Sequence, residues 1–145
     1  ETKRIVVPGR MDIRKIGDKT LIMDGAHNVQ KMTAFIARFR ELYPDIKPAI
    51  LIGVKDGKEF KELVPILKPI ASRVITTSFE SSQDLPIKSM NSDELAAVFK
   101  SFDIKTKSIP DHQLALHTLL RCPESVLIIT GSFYLLGQIR QDDLK

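Results

Sequence analysis

Leu21-Ile22-Met23-Asp24-Gly25-Ala26-His27-Asn28 decides how the rest of the chain is read. Leu21, Ile22 and Met23 form a continuous apolar run, the pattern of a strand buried on both faces. Asp24 stands where that strand would emerge. Gly25 and Ala26 leave room for a close ligand, His27 follows, and Asn28 is positioned to cap a helix. An acid and an imidazole at the carboxyl end of a strand, beside a helix N-terminus, occupy the place where open α/β sheets bind ligands. The same residues also suit a plain strand-to-helix turn, with Asp and Asn present for capping alone.

Working outward, residues 11–16 and 20–24 are two extended runs around Gly17-Asp18, which reads as a β-hairpin at the sheet edge. Upstream, residues 3–7 are a short β-branched run that ends at the turn Pro8-Gly9-Arg10. Downstream, Met32, Phe35, Ile36, Phe39 and Leu42 fall at helical spacing, so residues 28–43 read as a helix that Pro44 closes. Residues 48–54 are a second buried strand. A helix carrying Phe60, Leu63, Val64 and Leu67 comes next, with Pro65 expected to shorten or kink it. Strands follow at 73–77, 104–109 and 125–130, and helices at 91–102, 111–122 and from 133 to about 140. Asn91 with Glu94 resembles a capping box. Residues 78–90 are polar, contain Pro86 and form the longest loop, of a length suited to a lid. Strands alternating with helices after an antiparallel hairpin give an α/β fold: a Rossmann-like, mostly parallel sheet with helices on both faces.

One domain accounts for 145 residues, and a chain of this length buries a core without staples. Its 22 basic and 18 acidic residues leave a net charge of +4, spread along the chain with no Arg/Lys stripe between aromatics. That distribution does not argue for nucleic acid, whereas a mildly basic face suits a polyanionic small molecule. Cys122 is the lone cysteine, so no intrachain disulfide forms, which fits a reducing, cytoplasmic compartment. No run approaches a membrane span and no signal peptide is visible. The chain opens on Glu1, as a fragment or a processed product would.

Three strand-to-helix junctions are candidates for chemistry: residues 24–28, 55–58 and 131–134. Asp24 can accept from ribose hydroxyls, or hold a metal through water, and His27 can donate to a phosphate or carboxylate. Arg10, Lys55 and Lys58 can neutralise phosphate charge. Ser132 and the N–H groups around it can hold a carboxylate, or simply cap the helix. Other motifs fail. The run from Gly53 to Lys58 is one residue short of a P-loop, and Glu59 stands where a Mg²⁺-binding Ser/Thr belongs. His112 and His117 lack the partners of a metal site, so none is assigned. Ser132 is not in a Gly-x-Ser-x-Gly elbow.

Pro8-Gly9-Arg10, Asp24-Gly-Ala-His-Asn28 and, about a hundred residues on, Gly131-Ser-Phe-Tyr-Leu-Leu-Gly-Gln-Ile-Arg140 stand in one family's order. On these motifs the chain resembles the C-terminal domain of folylpolyglutamate synthase/dihydrofolate synthase, within the Mur ligase superfamily. Val29 departs from the proline usual there, and residues 53–58 depart from the family's Gly-x-x-x-Asp-Lys-Asp type. The resemblance implies an ATP- and Mg²⁺-dependent ligase that adds glutamate to a folate or dihydropteroate through an acyl phosphate. It implies that residues 1–145 are the C-terminal, glutamate-ligase domain, whose partner is an N-terminal P-loop ATPase domain absent from this chain and supplying most metal ligands. By match to the motifs, Arg10 meets the nucleotide phosphates and Asp24 the ribose. His27 faces the phosphates or the incoming glutamate, as catalyst or binder. Ser132 and Tyr134 lie near glutamate. The alternatives are another Mur-type ligase domain and a non-catalytic nucleotide-binding α/β module. A dehydrogenase domain is disfavoured because no Gly-x-Gly-x-x-Gly occurs.

Overall fold

The computed structural model describes residues 10–56, 60–79 and 88–139. The run at 3–7, the turn at Pro8-Gly9, Gly57-Lys58 and Arg140 lie outside the described residues. The chain opens with β1 (Asp12–Ile16) and β2 (Lys19–Asp24), followed by α1 (Val29–Leu42), β3 (Ala49–Ile52) and α2 (Phe60–Leu67). It continues through β4 (Arg73–Thr76), α3 (Ser92–Ser101), β5 (Thr106–Ser108), α4 (His112–Leu120), β6 (Val126–Thr130) and α5 (Phe133–Gln138). The strands form one sheet in the order β1-β2-β6-β3-β4-β5. β1 pairs antiparallel with β2, and the other pairings are parallel. The expected doubly covered α/β sheet with an antiparallel edge is therefore the observed one. The hairpin turns at Gly17, whose φ of 62° a glycine takes without strain.

Alternation along the strands divides the core. Ile22, Ile50, Ile52, Val74 and Ile128 meet α1, α2 and α3 on one face. Leu21, Leu51, Ile75, Leu127 and Ile129 meet α4 and α5 on the other. Met32, Phe35, Ile36 and Phe39 are the buried stripe of α1, as their spacing predicts, and each stabilises the fold by ~1.5–3 kcal/mol; Leu42, expected in the same stripe, is exposed at the last residue of the helix. Asn28 caps α1 by accepting from the Lys31 N–H, and Asn91 caps α3 by accepting from the Asp93 and Glu94 N–H groups. Pro65 sits inside α2, which stays helical to Leu67. Cys122 follows α4 as buried filler, and burial pushes its thiol up.

Some expected elements are longer than the observed ones. Residues 48–54 reduce to Ala49–Ile52, and residues 104–109 to Thr106–Ser108, the stretches in register with β4. The two described ends of the 78–90 loop are tied together: the Phe79 N–H donates to the Ser89 hydroxyl at 2.8 Å, and the Met90 N–H to the Val54 carbonyl at 2.8 Å. Asp24, Thr130, Ile52, Thr76 and Ser108 are ladder partners in succession, so they mark one straight rim at the carboxyl ends of the parallel strands.

Candidate functional site

Three hydrogen bonds, two of them between backbone groups, build this rim around β6. The Gly131 N–H donates to the Ala26 carbonyl at 3.1 Å, the Gly53 N–H to the Thr130 carbonyl at 3.4 Å, and the Thr130 hydroxyl to the Ala26 carbonyl at 3.5 Å. The chain after β6 must therefore pass against the chain after β3. Gly131 makes that possible: its φ is 106°, and a Cβ there would strike the Gly53 carbonyl oxygen. α1 leaves β2 on one face of the sheet and α5 leaves the adjacent β6 on the other, so the rim is open between them.

Asp24 is half-buried at the end of β2. One carboxylate oxygen accepts from the Met11 N–H at 3.0 Å and the other from the Ala26 N–H at 2.8 Å. The first bond holds Met11 at a φ of 44°, an uncommon backbone for a side chain of its size. Burial pushes the Asp24 pKa above its ordinary value, and the two N–H groups and Arg10 only partly oppose that. An ionised carboxylate offers about four acceptor positions. Asp24 thus keeps capacity for a ligand hydroxyl while tying the start of β1 to the turn after β2.

Arg10 and Asp24 share a groove of about 230 Å³ with Lys31, Arg38, Phe35 and Phe133. Three cations beside one carboxylate suit a polyanion that also carries hydroxyls. Lys31 and Arg38 escaped the sequence reading, which followed the buried stripe of α1. Their seven-residue spacing, with Ala34 between them, is the signal that would have found them.

His27, Ser132, Tyr134 and Lys55 line a second hollow, of about 200 Å³, together with Phe60 and Phe133. The His27 ring is exposed, with Nδ1 3.0 Å from the Gly25 carbonyl oxygen. A carbonyl only accepts, so the proton sits on Nδ1 and, in the neutral ring, Nε2 is left as the acceptor. Ser132 is buried, and its oxygen caps α5 by accepting from the Tyr134 N–H at 3.0 Å and the Leu135 N–H at 3.4 Å. The expected carboxylate cradle of free N–H groups at Ser132 is therefore partly taken by the cap, and what the side chain keeps to offer is its own O–H. Tyr134 stacks on Phe79, ring centroids 6.5 Å apart.

The five candidates thus sit on one rim in two adjoining spaces: Arg10 and Asp24 in one, His27, Ser132 and Tyr134 in the other. A larger hollow, about 720 Å³ between Ser78, Pro110, His112 and Gly137, takes none of them. Size is a poorer guide here than the meeting of charged groups at the strand ends. Among the described residues no three of His, Cys, Asp or Glu gather as a metal cluster, and no helix is long and apolar enough to cross a membrane.

The dihydrofolate synthetase of Saccharomyces cerevisiae is 26% identical, over 90% of this chain and 33% of that protein. The folylpolyglutamate synthase of Thermotoga maritima is 28% identical with a TM-score of 0.71, over 92% of this chain and 30% of that one. The bifunctional folylpolyglutamate synthase/dihydrofolate synthase of Yersinia pestis, complexed with AMPPNP and a Mn ion, superposes with a TM-score of 0.75. That superposition covers 90% of this chain and 30% of the other at 18% identity, a likeness of fold. The chain spans about a third of the length of these relatives. The family model described as "Dihydrofolate synthetase, C-terminal domain" matches residues 10–142, nearly the whole sequence, and the chain belongs to that family.

Proposed function

We propose that this chain is the C-terminal domain of an ATP-dependent ligase that joins glutamate to a folate or a dihydropteroate. The observation that carries the reading is the two-part rim: a cationic groove at Arg10 and Asp24 beside a small hollow at His27, Ser132 and Tyr134, in a chain of this family. The partner is an N-terminal P-loop ATPase domain of the same protein, and the location is cytoplasmic.

In the proposed reaction the acceptor carboxylate attacks the γ-phosphorus of ATP, ADP leaves, and an acyl phosphate forms. The amine of glutamate then attacks the acyl carbon, the C–O bond to phosphate breaks, and an amide and phosphate result. Arg10, with Lys31 and Arg38 in the same groove, neutralises phosphate charge. Asp24 accepts from the ribose hydroxyls with the capacity its two backbone bonds leave. His27 Nε2 accepts the proton that the attacking amine loses. Ser132 Oγ–H and Tyr134 hold the glutamate, and a hollow of about 200 Å³ is below the ~300 Å³ of drug-sized sites, on the scale of an amino acid. A divalent ion, Mg²⁺, supplies charge neutralisation at the phosphates, with ligands from the ATPase domain. The Mn ion and AMPPNP in the Yersinia pestis relative support nucleotide and divalent-ion use.

The test uses the full-length protein with ATP, Mg²⁺, glutamate and either dihydropteroate or tetrahydrofolate, and mass spectrometry of the acceptor. One added glutamyl unit is the expected result. Nucleotide binding without glutamyl addition to either acceptor overturns the folate assignment and favours another Mur-type acceptor. Nucleotide binding with no turnover on any carboxylate acceptor favours a binding module. Residues 1–145 alone are expected to release no ADP.

A further inference from the structure

We propose that Phe133 is a positioning residue: its ring, seated on the Gly25 backbone, is the wall that separates the Arg10–Asp24 groove from the His27–Ser132–Tyr134 hollow. The inference rests on the ligase reading above and says how that site gives nucleotide and glutamate separate places and keeps water from the acyl phosphate.

Phe133 is 39% exposed, and α5 anchors itself to the core through Leu135 instead. Partial exposure of one aromatic is ordinary, so exposure alone assigns the ring no role. Its position is nonetheless specified. A Cβ on Gly25 would lie 2.5 Å from Phe133 Cδ1 and 2.6 Å from Cε1, so the ring lies where only a glycine backbone lets it. The ring also meets His27 edge-on, centroids 6.0 Å apart and planes at 65°. With Nδ1 bonded to the Gly25 carbonyl, the imidazole is thus held from two sides. Phe133 lines both spaces, with Arg10 and Asp24 on one side and His27 and Tyr134 on the other.

Such a wall has a chemical consequence. An acyl phosphate reached by water instead of amine returns the free acid and phosphate, so the net reaction becomes ATP and water to ADP and phosphate. An apolar ring beside the amine-holding hollow keeps water from that path. It also fixes His27 toward the amine, so its loss reduces glutamate use more than ATP use.

The experiment takes the full-length ligase and compares ADP released with glutamyl amide formed, alongside the KM for glutamate and for ATP. The unaltered enzyme is expected to release about one ADP per amide. Phe133→Ala is expected to release a several-fold excess of ADP and to raise the glutamate KM about tenfold, with the ATP KM within about twofold, a selective loss of orientation. Phe133→Leu keeps apolar volume without the flat ring and carries the test if the Ala variant fails to fold; a smaller excess of ADP is expected. Gly25→Ala displaces the ring and is expected to behave like Phe133→Ala. Gly25→Ala/Phe133→Ala is expected to be no worse than Phe133→Ala alone, the non-additivity of two changes at one contact. One ADP per amide and an unchanged glutamate KM in the Phe133 variants would overturn the wall. An unaltered enzyme that forms no glutamyl amide overturns the ligase reading itself, whatever the Phe133 variants do.

Discussion

The two rims of this sheet carry similar residues and treat them in opposite ways. At the amino ends of the strands, Glu124 meets the Ser72 hydroxyl at 2.5 Å and Arg73 Nε at 2.9 Å through one carboxylate oxygen. Lys19 closes the same edge by donating to the Cys122 and Glu124 carbonyls at 2.6 and 2.9 Å. Burial alone would push the Glu124 pKa up, but the Ser72 hydroxyl, the Glu124 backbone N–H and Arg73 together outweigh it and the net shift is downward. At the carboxyl ends, Asp24 is held by backbone N–H groups, and its net shift is upward. One rim uses its charges on each other and fastens the fold. The other orients its charges with backbone contacts and leaves acceptor capacity and cations facing open space. The difference separates a structural cluster from a site without reference to any ligand.

Disrupting the backbone scaffold of the carboxyl rim gives the largest expected effect. Gly131→Ala puts a Cβ into the Gly53 carbonyl at a φ of 106°, and we expect about 3 kcal/mol or more of stability to be lost in urea unfolding. A loss under about 1 kcal/mol would mean that the β6–β3 approach is not constrained as described. Next in size is Arg10→Ala. In the full-length enzyme it is expected to lower kcat/KM for ATP by about 10–100-fold, the value of a charge-assisted contact. Because Arg10 is exposed, Tm should stay where it is. Glu124→Gln is the mirror image, with Tm lower and kcat/KM unchanged. Arg73 is 29% exposed at its side chain, so the expected stability loss is modest, about 1–2 kcal/mol, or several degrees in Tm. Reversed outcomes for Arg10 and Glu124 would overturn the division of labour between the rims.

Local patterns in the sequence carried most of the architecture. Residues 126–130 and 49–52 are apolar runs short enough for strands, and the α1 stripe recurs at helical spacing, so sheet, helices and hairpin were legible. The candidate site was legible only as far as strand ends can be read from turns. Arg10, Asp24, His27 and Ser132 are candidates because each follows a strand or borders its turn, Tyr134 because of the family resemblance, and they share a rim because the parallel strands end in register. What local reading cannot supply is pairing across the chain. Glu124 and Ser72 are 52 residues apart, and Phe133 reaches Gly25 across more than a hundred, so neither contact leaves a periodic trace. Ser132 shows the same limit from the other side: the two readings of it, cap and ligand contact, are written in the same residue type, and geometry is needed to find that the cap takes the oxygen.

The smallest predicted effect is the sharpest probe of the contrast, because its sign differs between the rims. Asp24 has a folded pKa above its ordinary 3.8, so between those values the folded state binds more protons than the unfolded one. Its contribution to stability is fully present below about that ordinary value and is lost as pH rises through the folded one. Glu124 has a folded pKa below its ordinary 4.5; its contribution is present above that value and is lost as pH falls through the folded one. Removing each titration should therefore change the acid limb in opposite directions. In urea unfolding between about pH 3 and 6, Glu124→Gln should flatten the fall of stability with acid, and Asp24→Asn should steepen it. Asp24→Asn also lowers stability at every pH, since its amide nitrogen cannot accept from one of the two N–H groups; that offset leaves the slope untouched. Slopes that change in the same direction would show that the two carboxylates sit in alike environments, and the contrast between a fastening rim and an open one would fall.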